Sequence, residues 1–362
     1  MRILQLIDSL EVGGAERMAV NYANSLSKQI EFSGIVVTRK EGSLKSHLEE
    51  KVSYLFLNRK KVFDLKALFL LKSYCKENKI DFIHAHGTSF FIAFLFKIIQ
   101  PTIKVIWHEH AGSTGTEKRI QNRVLWFCTR SFSGILVVNH ALENWFKIVL
   151  KFKNTLYLPN FTVFDTNEKP TTFLKGIEHK RIVCLANLRH PKNHKLLVEV
   201  AIKTKETHPE WTFHFIGNDL QDGYSSELKG LIKTNHLEDT VFIYGLCEDT
   251  NHILQQSTIA VLASLSEGLP VALLEYGMHK KPVVATNVGE IPLIISDGIT
   301  GFIVPSDTVN SFYNALVSLM ESEVLQGNFG KKLYDTIIQN HSEKAVMTSY
   351  LNWLKNDLKC KM

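Results

Sequence analysis

Glu267 and Glu275 stand eight positions apart in Ser264-Leu265-Ser266-Glu267-Gly268-Leu269-Pro270-Val271-Ala272-Leu273-Leu274-Glu275-Tyr276-Gly277. Thr258 to Leu262 before them reads as a buried strand, and Pro282 to Ala285 after them as another. Glu267 therefore falls at the carboxyl end of a strand, where open α/β sheets bind ligands. Gly268 permits close approach to the backbone. Pro270 suits the first position of a helix, leaving the N–H groups around Leu269 and Val271 open to an anion such as a diphosphate. That helix carries Glu275 inward, and a carboxylate with two acceptor oxygens can take both hydroxyls of a ribose. The residues around Glu275 are apolar on every side, and no basic residue occurs between Lys233 and Lys280. A ligand rather than a local salt bridge is the expected partner of a buried carboxylate there. An anion site flanked by two hydroxyl-binding carboxylates describes a nucleotide-sugar pocket. Taken alone, the two glutamates also fit a helix-start acid favoured by the dipole and a second acid on an exposed face.

Three other groups have types and spacings that bear on chemistry. In Leu185-Ala186-Asn187-Leu188-Arg189-His190-Pro191-Lys192, a cation pair after a strand would neutralise a departing diphosphate. Gly13 and Gly14, in Glu11-Val12-Gly13-Gly14-Ala15-Glu16-Arg17, end one strand and open a helix. They do not form G-x-G-x-x-G, but they allow an anion at a helix start. His84-Ala85-His86 and His108-Glu109-His110 each close a strand. Residues two apart share a strand face, a zinc-like spacing. A closed metal site also needs convergent ligands and a supporting shell, so no metal is expected.

The elements that must position these groups alternate between strand and helix along the chain, which argues a parallel sheet with helices on both faces. The first half offers strands at Arg2–Ile7, Phe32–Thr38, Val52–Leu57, Phe82–His86, Lys104–His108, Gly134–Asn139 and Thr155–Leu158. Helices include Gly14–Leu26 and Asp64–Asn78. After the polar stretch from Asp165 to Thr172 the pattern restarts with Arg181–Ala186, Trp211–Ile216, Val241–Tyr244, Thr258–Leu262, Pro282–Ala285 and Gly301–Val304. A length of 362 residues suits two α/β domains with separate cores. The expected division is residues 1–164, with a final helix over about 342–362, and residues 175–341. No signal peptide pattern opens the chain. The apolar run from Phe90 to Ile99 is too short to span a bilayer. The five cysteines form no C-x-x-C pair and read as reduced thiols of a cytoplasmic protein.

Charge divides unevenly. Residues 1–155 hold 23 Lys+Arg against 13 Asp+Glu, a net +10. Residues 156–362 hold 19 against 23, a net −4, and together they give the overall +6. Arg59-Lys60-Lys61 leads into an apolar and basic helix, and Lys118, Arg119, Arg123 and Arg130 flank a second with Val124, Leu125, Trp126 and Phe127. Such faces either pack on a sheet beside solvated charges or meet an anionic membrane surface peripherally, at the inner face of the cytoplasmic membrane. No nucleic-acid-binding motif occurs, so nucleic acid is not an expected partner.

The segment from Glu267 to Pro305, with Glu267-x7-Glu275, Pro282-Val283-Val284-Ala285-Thr286, Gly289-Glu290-Ile291-Pro292 and Gly298-Ile299-Thr300-Gly301-Phe302, resembles family-4 retaining glycosyltransferases of the GT-B fold. The resemblance extends over nearly the whole chain. It implies two facing Rossmann-like domains, with the final helix crossing back onto the first. It also implies a nucleotide-sugar donor, UDP-linked by preference, with no metal or other cofactor, and a glycan or lipid-linked acceptor of surface polysaccharide synthesis. Transfer would retain the anomeric configuration by front-face attack, needing no enzyme nucleophile. By the same resemblance Glu267 orients sugar hydroxyls, Glu275 holds the ribose, and Gly14 reaches the donor phosphates. Lys192 matches the family lysine at the diphosphate. Asn187 replaces the usual arginine, so Arg189 is assigned in its place. His110 lies near the donor sugar and His86 among acceptor contacts. Gly245 and Leu246 lie near the base, with Gly268 and Leu269 at the phosphates. Asn160 resembles an interdomain loop residue. The other classes compatible with the motifs are a nucleotide-sugar epimerase on a related fold and a non-catalytic nucleotide-sugar-binding protein.

Overall fold

The computed structural model describes residues 1–110, 123–161, 163 and 169–358. It divides into two units, Met1–Phe161 with Glu343–Met362, and Thr162–Ser342. Strands β1 to β7 of the first unit are Arg2–Ser9, Phe32–Lys40, Ser53–Phe56, Phe82–His86, Lys104–Glu109, Gly134–Val137 and Thr155–Tyr157. They form one parallel sheet in the order β3-β2-β1-β4-β5-β6-β7. Strands β8 to β13 of the second unit are Arg181–Leu185, Thr212–Ile216, Val241–Gly245, Ile259–Leu262, Val283–Thr286 and Phe302–Val304. These are also parallel, in the order β10-β9-β8-β11-β12-β13. All thirteen expected strands form, with ends that differ by at most two residues.

Central strands are buried on both faces because helices cover both sides of the sheet, so they read as apolar runs. β1 and β4 carry Ile3, Leu4, Leu6, Phe82 and Ile83 with no exposed surface, as β8 and β11 carry Ile182, Val183, Ala260 and Val261. Short polar side chains start several helices. Asp64 accepts from the Ala67 N–H, Asn139 from Leu142, Asp222 from Ser225 and Ser322 from Leu325, each satisfying one orphan donor of a helix start.

The last helix, Glu343–Asn356, belongs to the first unit. Tyr350 is fully buried there beside Tyr22 and His84. Trp353 lies so close to β6 that a Cβ on Gly134 would come within 2.4 Å of its ring. The chain thus leaves the first unit after Phe161 and returns to its core at the end. Cys75, Cys128, Cys184 and Cys247 are free thiols. Among the described residues no helix is long and apolar enough to cross a membrane.

Candidate functional site

In each sheet the chain order reverses once, between β1 and β4 in the first unit and between β8 and β11 in the second. Loops leaving the carboxyl ends of two such strands diverge, and the crevice between them is where ligands bind. In the second unit those loops are Ala186–Asn193 after β8 and Ala263–Pro270 after β11.

These two loops bring Lys192 to Glu267. The chain after β8 closes a single 3-10 turn, His190–Lys192, and Asn193 takes left-handed φ 52° before helix His194–Thr207 begins. The turn points the Lys192 ammonium at Glu267, with Nζ 2.5 Å from Oε1. Ser264 Oγ donates to the same oxygen at 2.6 Å. The Glu267 side chain is 9% exposed and that of Lys192 29%. Backbone contacts fix the register of the loops: the Leu265 N–H donates to the Pro191 carbonyl at 2.8 Å, and the Glu290 N–H to the Gly268 carbonyl at 3.1 Å. Gly289 sits at φ 56°, and a Cβ there would approach the Glu267 carbonyl oxygen to 2.2 Å. Only glycine lets the 287–290 turn close over Glu267 and Gly268.

Pro270 is the residue preceding helix Val271–Met278, not its first position as expected. Leu269 is buried, and Gly268 is partly exposed beside Glu267. Glu275 departs further from expectation. The helix buries Leu273, Leu274, Tyr276 and Gly277 and leaves Glu275 half-buried. The apolar sequence around it overstated its burial, because Val271 and Ala272 also lie partly at the surface. Tyr276, which sequence reasoning passed over, is fully buried. Its hydroxyl accepts from the Leu185 N–H at 2.6 Å and donates to the Val261 carbonyl at 3.3 Å. It thereby clamps β8 to β11 where the two loops diverge. A tyrosine in an apolar helix next to a glycine was the only available signal.

Arg189 is exposed just ahead of the 3-10 turn. Asn187, where the family has arginine, uses its Oδ1 to accept from the Asn218 N–H at 2.8 Å, joining the loops after β8 and β9. Gly245 ends β10 at φ 74° and its carbonyl accepts from the Gly217 N–H at 2.9 Å. Leu246 beside it is exposed.

In the first unit, Gly14 is the exposed first residue of helix Gly14–Ser27. The Glu16 carboxylate folds back against Gly13, where a Cβ would meet Oε2 at 2.3 Å. An acid already faces this helix start, as a capping carboxylate does. Asn160 is buried at the end of the unit.

The four histidines of β4 and β5 form a two-by-two array on one sheet face. Ring centroids lie 4.3 Å apart for His84 and His86, 4.0 Å for His108 and His110, and 5.2 Å for His86 and His110. Tyr350 Oη lies 3.1 Å from His84 Nδ1, and His84 Nε2 lies 3.2 Å from His108 Nδ1. In a second chain, His86 Nε2 donates to Gln5 Oε1 at 2.8 Å. Burial pushes the histidine pKa values down, that of His110 to about 3, so the rings are neutral. A neutral His86 with its proton on Nε2 has an acceptor at Nδ1. His110 Nε2, 2.9 Å away, must then be the donor. This leaves the His110 Nδ1 lone pair without a partner among the described residues. His86 is 1% exposed with both ring nitrogens engaged. That corrects the expectation of a direct acceptor contact: His86 stands behind His110 and sets its tautomer. One nitrogen each of His84, His86 and His108 fall within 4.8 Å of one another. The rings stack, Tyr350 and Gln5 take one nitrogen each of His84 and His86, and strand alternation turns Glu109 to the opposite face.

Arg59 also differs from its expected role. It is 5% exposed and its guanidinium pairs with Asp8 at 3.2 Å, so it is a structural cation. Lys118 and Arg119 lie outside the described residues, as do residues 165–168, half of the polar stretch expected as a linker.

Comparison with known proteins places this arrangement. Residues 165–340 match the family model for glycosyl transferases group 1, and residues 12–160 that for glycosyltransferase family 4. The poly(ribitol-phosphate) alpha-N-acetylglucosaminyltransferase of Staphylococcus aureus is 23% identical over 308 residues, covering 83% of this chain and 61% of the relative. The chain thus spans less than two thirds of that protein's length. The UDP-Gal:alpha-D-GlcNAc-diphosphoundecaprenol alpha-1,3-galactosyltransferase of Escherichia coli is 22% identical over 344 residues, covering 87% of this chain and 86% of the relative. Among solved structures, Anabaena Alr3699/HepE in complex with UDP-glucose superposes with a TM-score of 0.80 at 17% identity, covering 98% of this chain and 99% of that one. With two family models accounting for residues 12–160 and 165–340, this chain belongs to the group 1, family 4 glycosyltransferases of the GT-B fold.

Proposed function

We propose that this protein transfers a sugar, with retention, from a UDP-sugar to a glycan or lipid-linked acceptor in the synthesis of a surface polysaccharide. The observation that carries the reading is the Lys192–Glu267 pair at the strand-order reversal of the second unit, with Arg189 just ahead of its turn. Lys192 and Arg189 neutralise the diphosphate, and charge placed where charge develops is the largest common source of rate enhancement. Glu267 is held through Oε1 by Lys192 and Ser264, and its Oε2 accepts from hydroxyls of the transferred sugar. Gly268 and Leu269 offer backbone N–H groups to the phosphates. Glu275 takes the ribose, and the backbone of Gly245 and Leu246 meets the base. His110, its Nδ1 lone pair set by His86 and Gln5, accepts from a sugar hydroxyl.

The acceptor hydroxyl attacks the anomeric carbon as the bond from that carbon to the diphosphate oxygen breaks. The acceptor proton passes to that departing oxygen, so no enzyme nucleophile or metal enters the balance. The activities of the relatives, a UDP-Gal:alpha-D-GlcNAc-diphosphoundecaprenol galactosyltransferase and a poly(ribitol-phosphate) N-acetylglucosaminyltransferase, support the donor and acceptor classes. The UDP-glucose complex supports the base.

Calorimetric titration with UDP, GDP and ADP, followed by donor-turnover assays with lipid-linked and free glycan acceptors, tests the reading. Tight UDP binding with acceptor-dependent turnover is expected. Preference for GDP or ADP would replace the donor. Conversion of the donor without acceptor would replace transfer by epimerisation, and binding without turnover would leave a binding protein.

A further inference from the structure

Apolar side chains that belong in a core stand in water on one part of the first unit. Phe63, Leu65, Phe69 and Phe127 are each between 60 and 69% exposed. Phe63 and Phe127 are linked through ring contacts that cross three separate segments. Phe63 meets Phe91 at 5.9 Å, Phe91 meets Phe94 at 6.4 Å, and Phe94 meets Phe127 at 5.9 Å. A ridge of aromatic rings thus runs from the loop before helix Leu65–Glu77, over helix Phe90–Ile99, to helix Arg123–Thr129. Scattered exposed apolar residues need no explanation, whereas a contiguous set marks an interaction surface.

Helix Leu65–Glu77 shows why the ridge is not simply misplaced core. Its inner face is complete, with Ala67, Leu68, Leu71 and Cys75 buried. Leu65, Phe69 and Leu70 are a second apolar set on the outside. A helix apolar on two faces needs two apolar neighbours.

Charge identifies the second neighbour. Between Lys60 and Lys76 the sequence holds Lys60, Lys61, Lys66, Lys72 and Lys76 against one acid, Asp64. That acid is used up capping the helix, accepting from the Ala67 and Lys60 N–H groups. No acid occurs from Phe90 to His108 or from Arg123 to Leu142. Lys72 and Lys76 also line a cavity of about 670 Å³ with Lys79 and Lys104, where Asp81 is the one acid. The Arg130 guanidinium lies over the Trp126 ring, 4.3 Å from its centroid. Protein interfaces favour aromatic residues, Met and Arg but are depleted in Lys, so the lysines discriminate. Phenylalanine and leucine ringed by lysine is instead the composition of helices that lie in an anionic membrane interface.

We propose that this ridge inserts into the interfacial layer of an anionic lipid bilayer, with Phe63, Leu65, Phe69 and Phe127 among the acyl chains and Lys60, Lys61 and Lys66 on the headgroups. The inference deepens the preceding section, since a lipid-linked acceptor is presented at such a surface, but it requires no turnover. It also relocates the charge contribution from Arg59, which is buried on Asp8.

The test is co-sedimentation of the full chain with phosphatidylcholine vesicles, with and without phosphatidylglycerol. Three proteins are compared: the wild type, Phe63→Ser/Phe69→Ser/Phe127→Ser, and Lys60→Ala/Lys61→Ala/Lys66→Ala. Leu293→Ser, at an exposed apolar residue of the second unit, is the control. UDP binding is measured on every protein, so loss of fold or failure of the donor reading is seen separately. Wild type and control should bind only the phosphatidylglycerol vesicles. Each lysine removed should weaken binding about fivefold, and each phenylalanine about tenfold or more. Absent wild-type binding, equal binding to neutral vesicles, or unchanged binding by both variants would each overturn the proposal. So would a wild-type dimer, seen by light scattering, that the phenylalanine variant converts to monomer without any vesicle binding, because the ridge would then cover a second copy.

Discussion

The Lys192–Glu267 pair makes a prediction that separates two jobs sharing one oxygen. The Lys192 ammonium contacts Glu267 Oε1 at 2.5 Å. A diphosphate must compete for it. Lys192→Ala removes a charged hydrogen-bond donor from the phosphates, worth about 1.5–3 kcal/mol, or roughly 10- to 150-fold in affinity. UDP binding should fall by that factor, while uridine, which has no phosphate, should bind as before. Glu267→Gln should do the reverse. The amide keeps the Ser264 contact and the shape of the site but no longer holds the ammonium by charge. UDP affinity should then be unchanged or a few-fold tighter, while turnover falls about 100-fold or more through loss of the sugar-orienting carboxylate, an effect confined to the transition state. Stability should follow the burial of each partner. With Glu267 only 9% exposed, Lys192→Ala strands a nearly buried carboxylate on Ser264 and should cost about 1.5–3 kcal/mol. Glu267→Gln leaves an ammonium that is 29% exposed and able to hydrate, so it should cost less. Calorimetric titration of both variants with UDP and uridine, with denaturant melts, decides the matter. Equal loss of uridine and UDP in Lys192→Ala, or weaker UDP binding in Glu267→Gln than in Lys192→Ala, would refute this division of roles.

Three further predictions concern other parts of the chain. Glu275→Ala should weaken UDP by about 1.5–3 kcal/mol, the scale of hydrogen bonds to a charged group, and an unchanged affinity in folded protein would remove Glu275 from the ribose. The histidine array should make the protein acid-sensitive. His84, His86, His108 and His110 have folded pKa values below the ordinary 6.5, so the unfolded chain binds more protons as pH falls below 6.5. Stability is therefore full above that pH and declines beneath it, by about 1 kcal/mol per histidine between pH 6.5 and 5.5. Denaturant melts across that window should show the slope and its reduction in His108→Leu; a flat profile would mean the rings are accessible to protons in the folded state. Gly134→Ala should destabilise the first unit by about 1–3 kcal/mol, the scale of overpacking, because the new methyl meets the Trp353 ring at 2.4 Å. An unchanged melting temperature would show that the final helix can shift.

Much of the architecture is written locally. Parallel strands covered on both faces are largely apolar, so most of the thirteen announce themselves as short runs rich in Val, Ile, Leu or Phe. Helix starts are announced by capping residues such as Asp64, Asn139 and Asp222. Glycine and charge at strand ends single out Gly14, Lys192, Glu267 and Gly268. What local pattern does not carry is who meets whom. Lys192 and Glu267 are 75 residues apart and meet only because β8 and β11 are neighbours at the order reversal. Arg59 looks like a surface cation until β1 brings Asp8 to it. Tyr350 reaches His84 across 266 residues because the last helix returns to the first unit, and His86 proves to be buried behind His110 rather than open to an acceptor. Periodicity records that a face will be covered, since burial of apolar surface is non-directional. Which charge or ring covers it is decided by strand order and by the loops that follow it. The sequence by itself therefore determined the elements, their alternation in two units and the positions at strand ends. Only the tertiary structure decided the pairing of those positions into a site and the exposure of the aromatic ridge.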